Sequence, residues 1–216
     1  MSAARAALST VLSGLDRTAI AVSGGVDSMT LATVAHQVLG DRSEMFHAVS
    51  PAVPAEATHR VEGMAREQGW RLRVFDAGEF TDVNYRANPV NRCFFCKINL
   101  YGAIRGQTEA QILSGTNLDD LGEYRPGLDA AREHGVRHPY VETGIDKLGV
   151  RALARELGLH EVSDLPAAPC LSSRVETGIP IRTPTLRLIH QAERLVSGLL
   201  SPRTVRCRIR ASGVVI

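Results

Sequence analysis

Short apolar runs alternate with stretches of helical periodicity along most of the chain. Near the N-terminus Ala7, Leu8, Val11, Leu12 and Leu15 recur at three- and four-residue spacing, which predicts an amphipathic helix. An apolar run over 18–22 predicts a buried strand, followed by a glycine turn and a helix over 28–39. Further strands are predicted over 45–49 and 71–75 with a helix over 55–68 between them, and a helix over 94–105 leads to a fourth strand over 111–113. Strands that alternate with helices call for right-handed crossovers and a mostly parallel sheet. Asp146 is placed to cap a further helix, whose Val150, Leu153 and Leu157 share one face and which Gly158 ends. The expected class is α/β, with a doubly wound parallel sheet.

Past this region the character changes. Residues 164–184 are rich in Pro, Ser and Gly and predict a long loop, of a kind that often carries function. A helix over 185–199 and a strand over 204–209 follow, and Val214, Val215 and Ile216 read as a further strand without a finish. A boundary near Leu159 divides the chain into a main domain, 1–159, and a C-terminal segment, 160–216.

Composition narrows the class. The chain has 216 residues, 44% hydrophobic and 22% charged, enough for one globular domain with a short appendage. No apolar run approaches the roughly 20 residues of a membrane helix. Arg5 is followed by neither a continuous apolar stretch nor a small-residue cleavage site, so a cytoplasmic protein with an ordinary first helix is expected. A net charge of +2, with basic residues gathered only at 203–210, argues against a nucleic-acid partner. Without a secretion signal the four cysteines are expected to be reduced and to serve metal binding or catalysis.

The segment Ser23-Gly24-Gly25-Val26-Asp27-Ser28 falls at the carboxyl end of the first strand, where a doubly wound sheet places its ligand. Gly24 and Gly25 let the main chain approach a ligand closely, Ser23 and Ser28 add hydroxyls, and the following helix offers free N–H groups and a positive dipole end. These features suit a phosphate. Neither the GxxxxGK[ST] loop nor GxGxxG is present. Two glycines alone would mean only a tight turn with an Asp cap. The full six-residue pattern resembles the signature of the PP-loop ATP pyrophosphatases, of the adenine-nucleotide alpha-hydrolase-like type. That resemblance implies ATP cleavage between the α and β phosphates, with Asp27 assisting Mg2+. Gly115-Thr116-Asn117-Leu118-Asp119-Asp120 follows the fourth strand onto the same sheet edge. As bare residues it reads either as a capping turn or as ligand contacts; the resemblance to the group's GTNxDD segment implies nucleotide and metal contacts through Gly115, Thr116, Asn117 and Asp120.

Cys93-Phe94-Phe95-Cys96 alone fits a redox pair, half a zinc site or part of a cluster site. Cys170 lies in Pro169-Cys170-Leu171-Ser172-Ser173-Arg174, whose hydroxyls and guanidinium favour a thiolate or anion. Cys207, between arginines in an alternating stretch, reads as structural. Taken in order, the run from Asn91 to Lys97, the GTNLDD segment and the PCLSSR segment resemble the LarE family, ATP-dependent sulfur transferases that make the nickel-pincer cofactor. The likeness runs over 15–208.

The resemblance implies adenylylation of a carboxylate on a pyridinium-3,5-dicarboxylate mononucleotide, then displacement of AMP by sulfur to leave a thiocarboxylate. The family has two sulfur chemistries. Cys93, Cys96 and Cys170 match the type in which three cysteines hold a [4Fe-4S] cluster; in the alternative, Cys170 gives up its own sulfur and becomes dehydroalanine. Ser173, Arg174, Arg206 and Arg208 are implied as substrate contacts, and Glu193 as a substrate or magnesium contact. The family assembles in trimer-based rings, so a homo-oligomer is expected. Its members continue beyond the VRxR pattern through a His- and Arg-containing strand, and this chain is expected to be the shorter at that end. Three rival readings stand beside this one. A tRNA-thiolating enzyme calls for a basic extension, an amide-forming synthetase has no need of three cysteines, and a truncated relic would bind AMP without turnover.

Overall fold

A computed structural model describes residues 1–122 and 124–216. Its main sheet has four parallel strands, β1 (Thr18–Ala21), β2 (Ser43–Ala48), β3 (Arg71–Phe75) and β4 (Gln111–Leu113), in the order β3-β2-β1-β4. Thr18 lies opposite Ser43 on one side and Gln111 on the other, and Glu44 opposite Arg71. Successive apolar residues of β1, β2 and β4 enter opposite cores, as period-two alternation requires. Ile20, Met45 and Leu113 face the larger core, with α1 (Ala3–Ser13), α2 (Val26–Leu39), α3 (Ala55–Gln68) and α8 (Lys147–Glu156). Ala19, Phe46 and Ile112 face a second core with Tyr101 and Ile104 of α5 (Arg92–Arg105) and Ala131 of α6 (Pro126–Glu133). Helices thus cover both faces, the doubly wound arrangement expected from the sequence. β1 sits between β2 and β4, so the order reverses there and leaves a crevice at the carboxyl ends of those strands.

Local chemistry sets the element ends. Gly69 closes α3 in the left-handed region at φ +69°, and Asp146 caps α8 by accepting from the Gly149 N–H at 2.7 Å. α2 begins at Val26, two residues before the expected start, because Gly25 takes the N-cap position. α5 begins at Arg92, which brings both Cys93 and Cys96 onto the helix.

Short helices α4 (Val83–Arg86), α7 (Pro139–Glu142) and α9 (His160–Ser163) complete the main body, and Val162 and Leu165 pack into its larger core. The Pro-rich stretch contains a single 3-10 turn, Leu171–Arg174. It packs with α10 (Thr183–Leu200), Ala52 and Tyr85 around a third core that includes the buried Cys207. The strand expected over 204–209 is corrected to β5 (Arg208–Arg210), antiparallel to β6 (Gly213–Val215). The physical reason lies at Cys207, whose N–H donates to Glu193 Oε1 at 3.0 Å instead of to a neighbouring strand. Arg206 therefore precedes the strand, and Arg206 and Arg208 do not share a strand face. Among the described residues no helix is long and apolar enough to cross a membrane.

Candidate active site

The glycine loop is shaped by two close approaches. Gly24 adopts φ +81°, and a Cβ there would lie 2.8 Å from the Ala57 carbonyl oxygen, so only glycine fits. Arg60 Nη1 fixes the same peptide by donating to the Gly24 carbonyl at 2.8 Å. The Ser28 hydroxyl accepts from the Ser23 N–H at 3.0 Å and lies 3.2 Å from both Ser23 Oγ and the Gly25 carbonyl. The loop is thus closed on itself ahead of the first turn of α2.

The second motif is pressed onto the first. A Cβ on Gly115 would lie 2.8 Å from the carbonyl carbon of Asp27 and 2.9 Å from the Ser28 nitrogen. Asn117, almost fully buried, donates from Nδ2 to Asp27 Oδ1 at 3.1 Å. Its own Oδ1 accepts from the Asp119 N–H, and its N–H donates to Asp120 Oδ2, both at 3.1 Å. Thr116 Oγ1 lies 3.0 Å from Ser114 Oγ, which also meets His138 Nδ1 at 2.8 Å. Asp120 pairs with Arg125 at 2.9 Å.

Three residues outside both motifs complete this half. Lys147 Nζ lies 2.5 Å from Asp27 Oδ2, the Lys147 N–H donates to Asp119 Oδ2, and the Tyr140 hydroxyl donates to the Asp27 carbonyl at 3.0 Å. Burial pushes that Tyr140 hydroxyl well above its ordinary pKa, so it stays a donor. No spacing in the sequence singles out Lys147, Tyr140 or Arg60; the turn of Asp146 at the head of α8 is the nearest signal.

The sulfur-bearing half lies where α5 meets the Leu171–Arg174 turn. Arg92 Nη1 bridges Asn88 Oδ1 at 2.8 Å and the Ser172 carbonyl at 2.9 Å, and the Tyr85 hydroxyl lies 2.7 Å from Ser172 Oγ. Cys93 is exposed, whereas Cys96 and Cys170 are partly buried beside Tyr85, Phe80 and Phe95. Burial pushes the Cys96 thiol up to about 12; Lys97 pulls it down, while Cys170, Glu79 and Cys93 add to the rise. The Tyr85 hydroxyl is raised by the same burial and by Cys170. Cys96 and Cys170 pack against the same third core. All four cysteines are free, and among the described residues no three His, Cys, Asp or Glu side chains converge closely enough to hold a single metal ion.

Arg174 is 7% exposed and spends its guanidinium on protein partners. It donates to both Glu193 oxygens at 2.9 and 3.3 Å, to the Pro169 carbonyl at 2.6 Å, to the Cys170 carbonyl at 3.3 Å and to Ser173 Oγ at 3.0 Å. Ser173 itself is exposed. Arg206 donates to the Ala167 carbonyl at 2.9 Å, and Arg208 is exposed on β5 with no side-chain hydrogen bond among the described residues. The structure thus gathers Ser23, Gly24, Gly25, Asp27, Ser28, Gly115, Thr116, Asn117 and Asp120 at one sheet edge, and ties Arg174 and Glu193 to the loop that carries Cys170.

No family model matches the chain. An uncharacterized protein of Synechocystis sp. is 42% identical over 183 residues, 83% of this chain and 68% of that one. A pyridinium-3,5-bisthiocarboxylic acid mononucleotide synthase of Lactiplantibacillus plantarum is 30% identical over 209 residues, 94% of this chain and 75% of that one. A probable tRNA sulfurtransferase of Methanothermobacter thermautotrophicus is 26% identical over 164 residues, 69% of this chain and 42% of that one. With two glycine motifs locked around one aspartate, the chain is 30% identical to the Lactiplantibacillus synthase over 94% of its own length and belongs to the LarE family of PP-loop proteins.

Proposed function

We propose that this protein is an ATP-dependent sulfurtransferase that adenylylates a carboxylate of a pyridinium dicarboxylate mononucleotide and converts it to a thiocarboxylate for the nickel-pincer cofactor. The observation that carries this reading is Asp27, held between Asn117 Nδ2 and Lys147 Nζ beside a loop in which Gly24 leaves no room for a Cβ. A carboxylate resists displacement because an oxide-like group would have to leave. Transfer of AMP from ATP makes that oxygen a good leaving group and releases pyrophosphate.

The residues present fit ATP and magnesium. Gly24 and Gly115 let the two loops close against the main chain of Ala57 and of Asp27 and Ser28, and Asp27 and Asp120 supply the carboxylate oxygen a hard cation prefers. Lys147 supplies a cation for the phosphates, and the first turn of α2 adds its positive end.

The donor set also fits a [4Fe-4S] cluster, which spreads its ligands more widely than a single ion does. Cys93, Cys96 and Cys170 would hold it, and when bound it supplies an iron without a thiolate, to which extra sulfide can attach. Arg174 donates to the Cys170 carbonyl, Tyr85 and Arg92 hold the Ser172 turn, and the partly buried Phe80 and Phe95 would flank such a group. Ser173, Arg206 and Arg208 are the polar groups left to meet the substrate's phosphate and acids, with Arg174 and Glu193 supporting them. Sulfur drawn from Cys170 itself is the second reading, supported by its partly exposed place at the head of the Leu171–Arg174 turn. The protein acts in the cytoplasm as a homo-oligomer, with no membrane or nucleic-acid partner.

The test is anaerobic incubation with ATP, Mg2+ and the pyridinium dicarboxylate mononucleotide, following pyrophosphate and the mass of the product. Substrate-dependent pyrophosphate release with formation of a thiocarboxylate supports the proposal. Binding of AMP with no pyrophosphate release makes the protein a nucleotide binder, and thiolation of added tRNA moves it to the RNA-modifying class.

A further inference from the structure

The peptide between Gly24 and Gly25 is held on one side and open on the other. Arg60 Nη1, reaching from α3, donates to the Gly24 carbonyl at 2.8 Å. A carbonyl and the N–H that follows it point opposite ways in a trans peptide, so this contact turns the Gly25 N–H away from Arg60. That N–H has no hydrogen-bond partner among the described residues. Gly25 is the N-cap of α2, so its N–H stands just ahead of the helix's own leading donors.

The loop by itself does not fix this orientation. A peptide flanked by two glycines can rotate with little steric resistance. Gly24 is glycine because of the Ala57 carbonyl, but Gly25 is not crowded: a Cβ there would meet only Ser23 Oγ, at 3.6 Å. Its backbone, at φ −89° and ψ 164°, is open to any residue. A glycine that neither space nor backbone angle demands fits a main chain that a ligand approaches closely.

We infer that Arg60 is a positioning residue of the glycine loop, whose hold on the Gly24 carbonyl presents the Gly25 N–H to the pyrophosphate part of ATP. This rests on the ATP reading given above. Turned the other way, the peptide would set a carbonyl oxygen against the phosphate oxygens. The guanidinium is always protonated, so its donor is permanently in place.

The experiment is calorimetric titration of the full chain in Mg2+ with ATP, pyrophosphate or AMP, for wild type, Arg60→Met and Arg60→Lys, with urea unfolding in parallel. In Arg60→Met the affinities for ATP and pyrophosphate are expected to fall about tenfold, the scale of one hydrogen bond to a charged group, while that for AMP changes by less than about twofold. Arg60→Lys keeps a protonated donor of similar reach and should recover most of the loss. Arg60→Gln, too short to span the gap, gives the same selective loss should Arg60→Met fold poorly. Equal losses for AMP and pyrophosphate would make Arg60 a general support of the fold and overturn the inference. Undiminished pyrophosphate binding in Arg60→Met overturns it as well, and leaves the ATP reading standing. A wild type that binds neither ATP nor pyrophosphate overturns both.

Discussion

Lys147 Nζ, in the first turn of α8, lies 2.5 Å from Oδ2 of Asp27, in the first turn of α2. Both side chains keep about a third of their surface in solvent, at 32% and 28%, so the attraction is screened and contributes on the order of 0–1 kcal/mol to stability. The pair is better placed for ligands: a cation drawn to Asp27 frees Lys147 for phosphate. Lys147→Met is expected to lower pyrophosphate release about 100-fold, the scale of losing one preorganised charge contact. Its unfolding free energy in urea should change by no more than about 1 kcal/mol. An unchanged rate would make Lys147 only a resting partner for Asp27.

Gly115 supplies a separate test of the same site. Its missing Cβ faces the backbone of Asp27 and Ser28 at 2.8 and 2.9 Å, and main chain cannot swing aside as a flexible side chain can. Gly115→Ala is expected to push the two loops apart, costing about 1–3 kcal/mol in folding stability. ATP binding, measured by calorimetry, should weaken more than that loss explains, because Asn117 moves away from Asp27. A Gly115→Ala protein with wild-type affinity would show that the two motifs do not act as one site.

How much of this could be read from the chain depends on range. The four strands were legible because their apolar runs are bounded by glycine and flanked by helical periodicity, and Asp146 announced α8 through local capping chemistry. The glycine loop was legible through the resemblance of its six residues to the PP-loop signature, and Gly24 there takes φ +81°. Lys147, Tyr140 and Arg60 were not, since each acts across a long sequence gap through a side-chain contact that leaves no periodicity. The strand at 204–209 was over-read for a similar reason. Alternation marks what a strand would bury, but Cys207 is held by the distant Glu193.

That contact belongs to a buried pair. Arg174 and Glu193 are 7% and 12% exposed, and each satisfies backbone groups that are otherwise unpaired. Removing one partner leaves the other charge buried alone, so Glu193→Leu is expected to cost about 3–5 kcal/mol in urea denaturation. Arg174→Met with Glu193→Leu should recover much of that loss, because neither charge is then stranded. Single and double variants of equal stability would mean that the pair is hydrated in solution.

The histidines set the response to mild acid. His47 is buried; its Nδ1–H donates to the Val22 carbonyl at 2.8 Å, and Nε2 lies 2.9 Å from Thr58 Oγ1. Burial is the main reason its pKa falls below the ordinary 6.5, against opposing pulls from the Val22 carbonyl and Glu62. Burial lowers His138 likewise, with Lys97 assisting and Glu142 and Asp120 opposing. A depressed histidine stays neutral in the folded protein after the unfolded chain has taken up its proton. The unfolded state therefore binds more protons just below pH 6.5, and stability is full above that value and falls as the pH drops through it. Each histidine contributes a slope of up to about 1.4 kcal/mol per pH unit in that window. Glu142, held low chiefly by its hydrogen bond from Arg137, acts in the same direction only below its ordinary 4.5, so the two effects separate. Urea midpoints measured from about pH 7.5 to pH 5 should decline in the wild type and decline less in His47→Gln. Parallel curves for the two proteins would show that His47 takes up its proton without resistance from the fold.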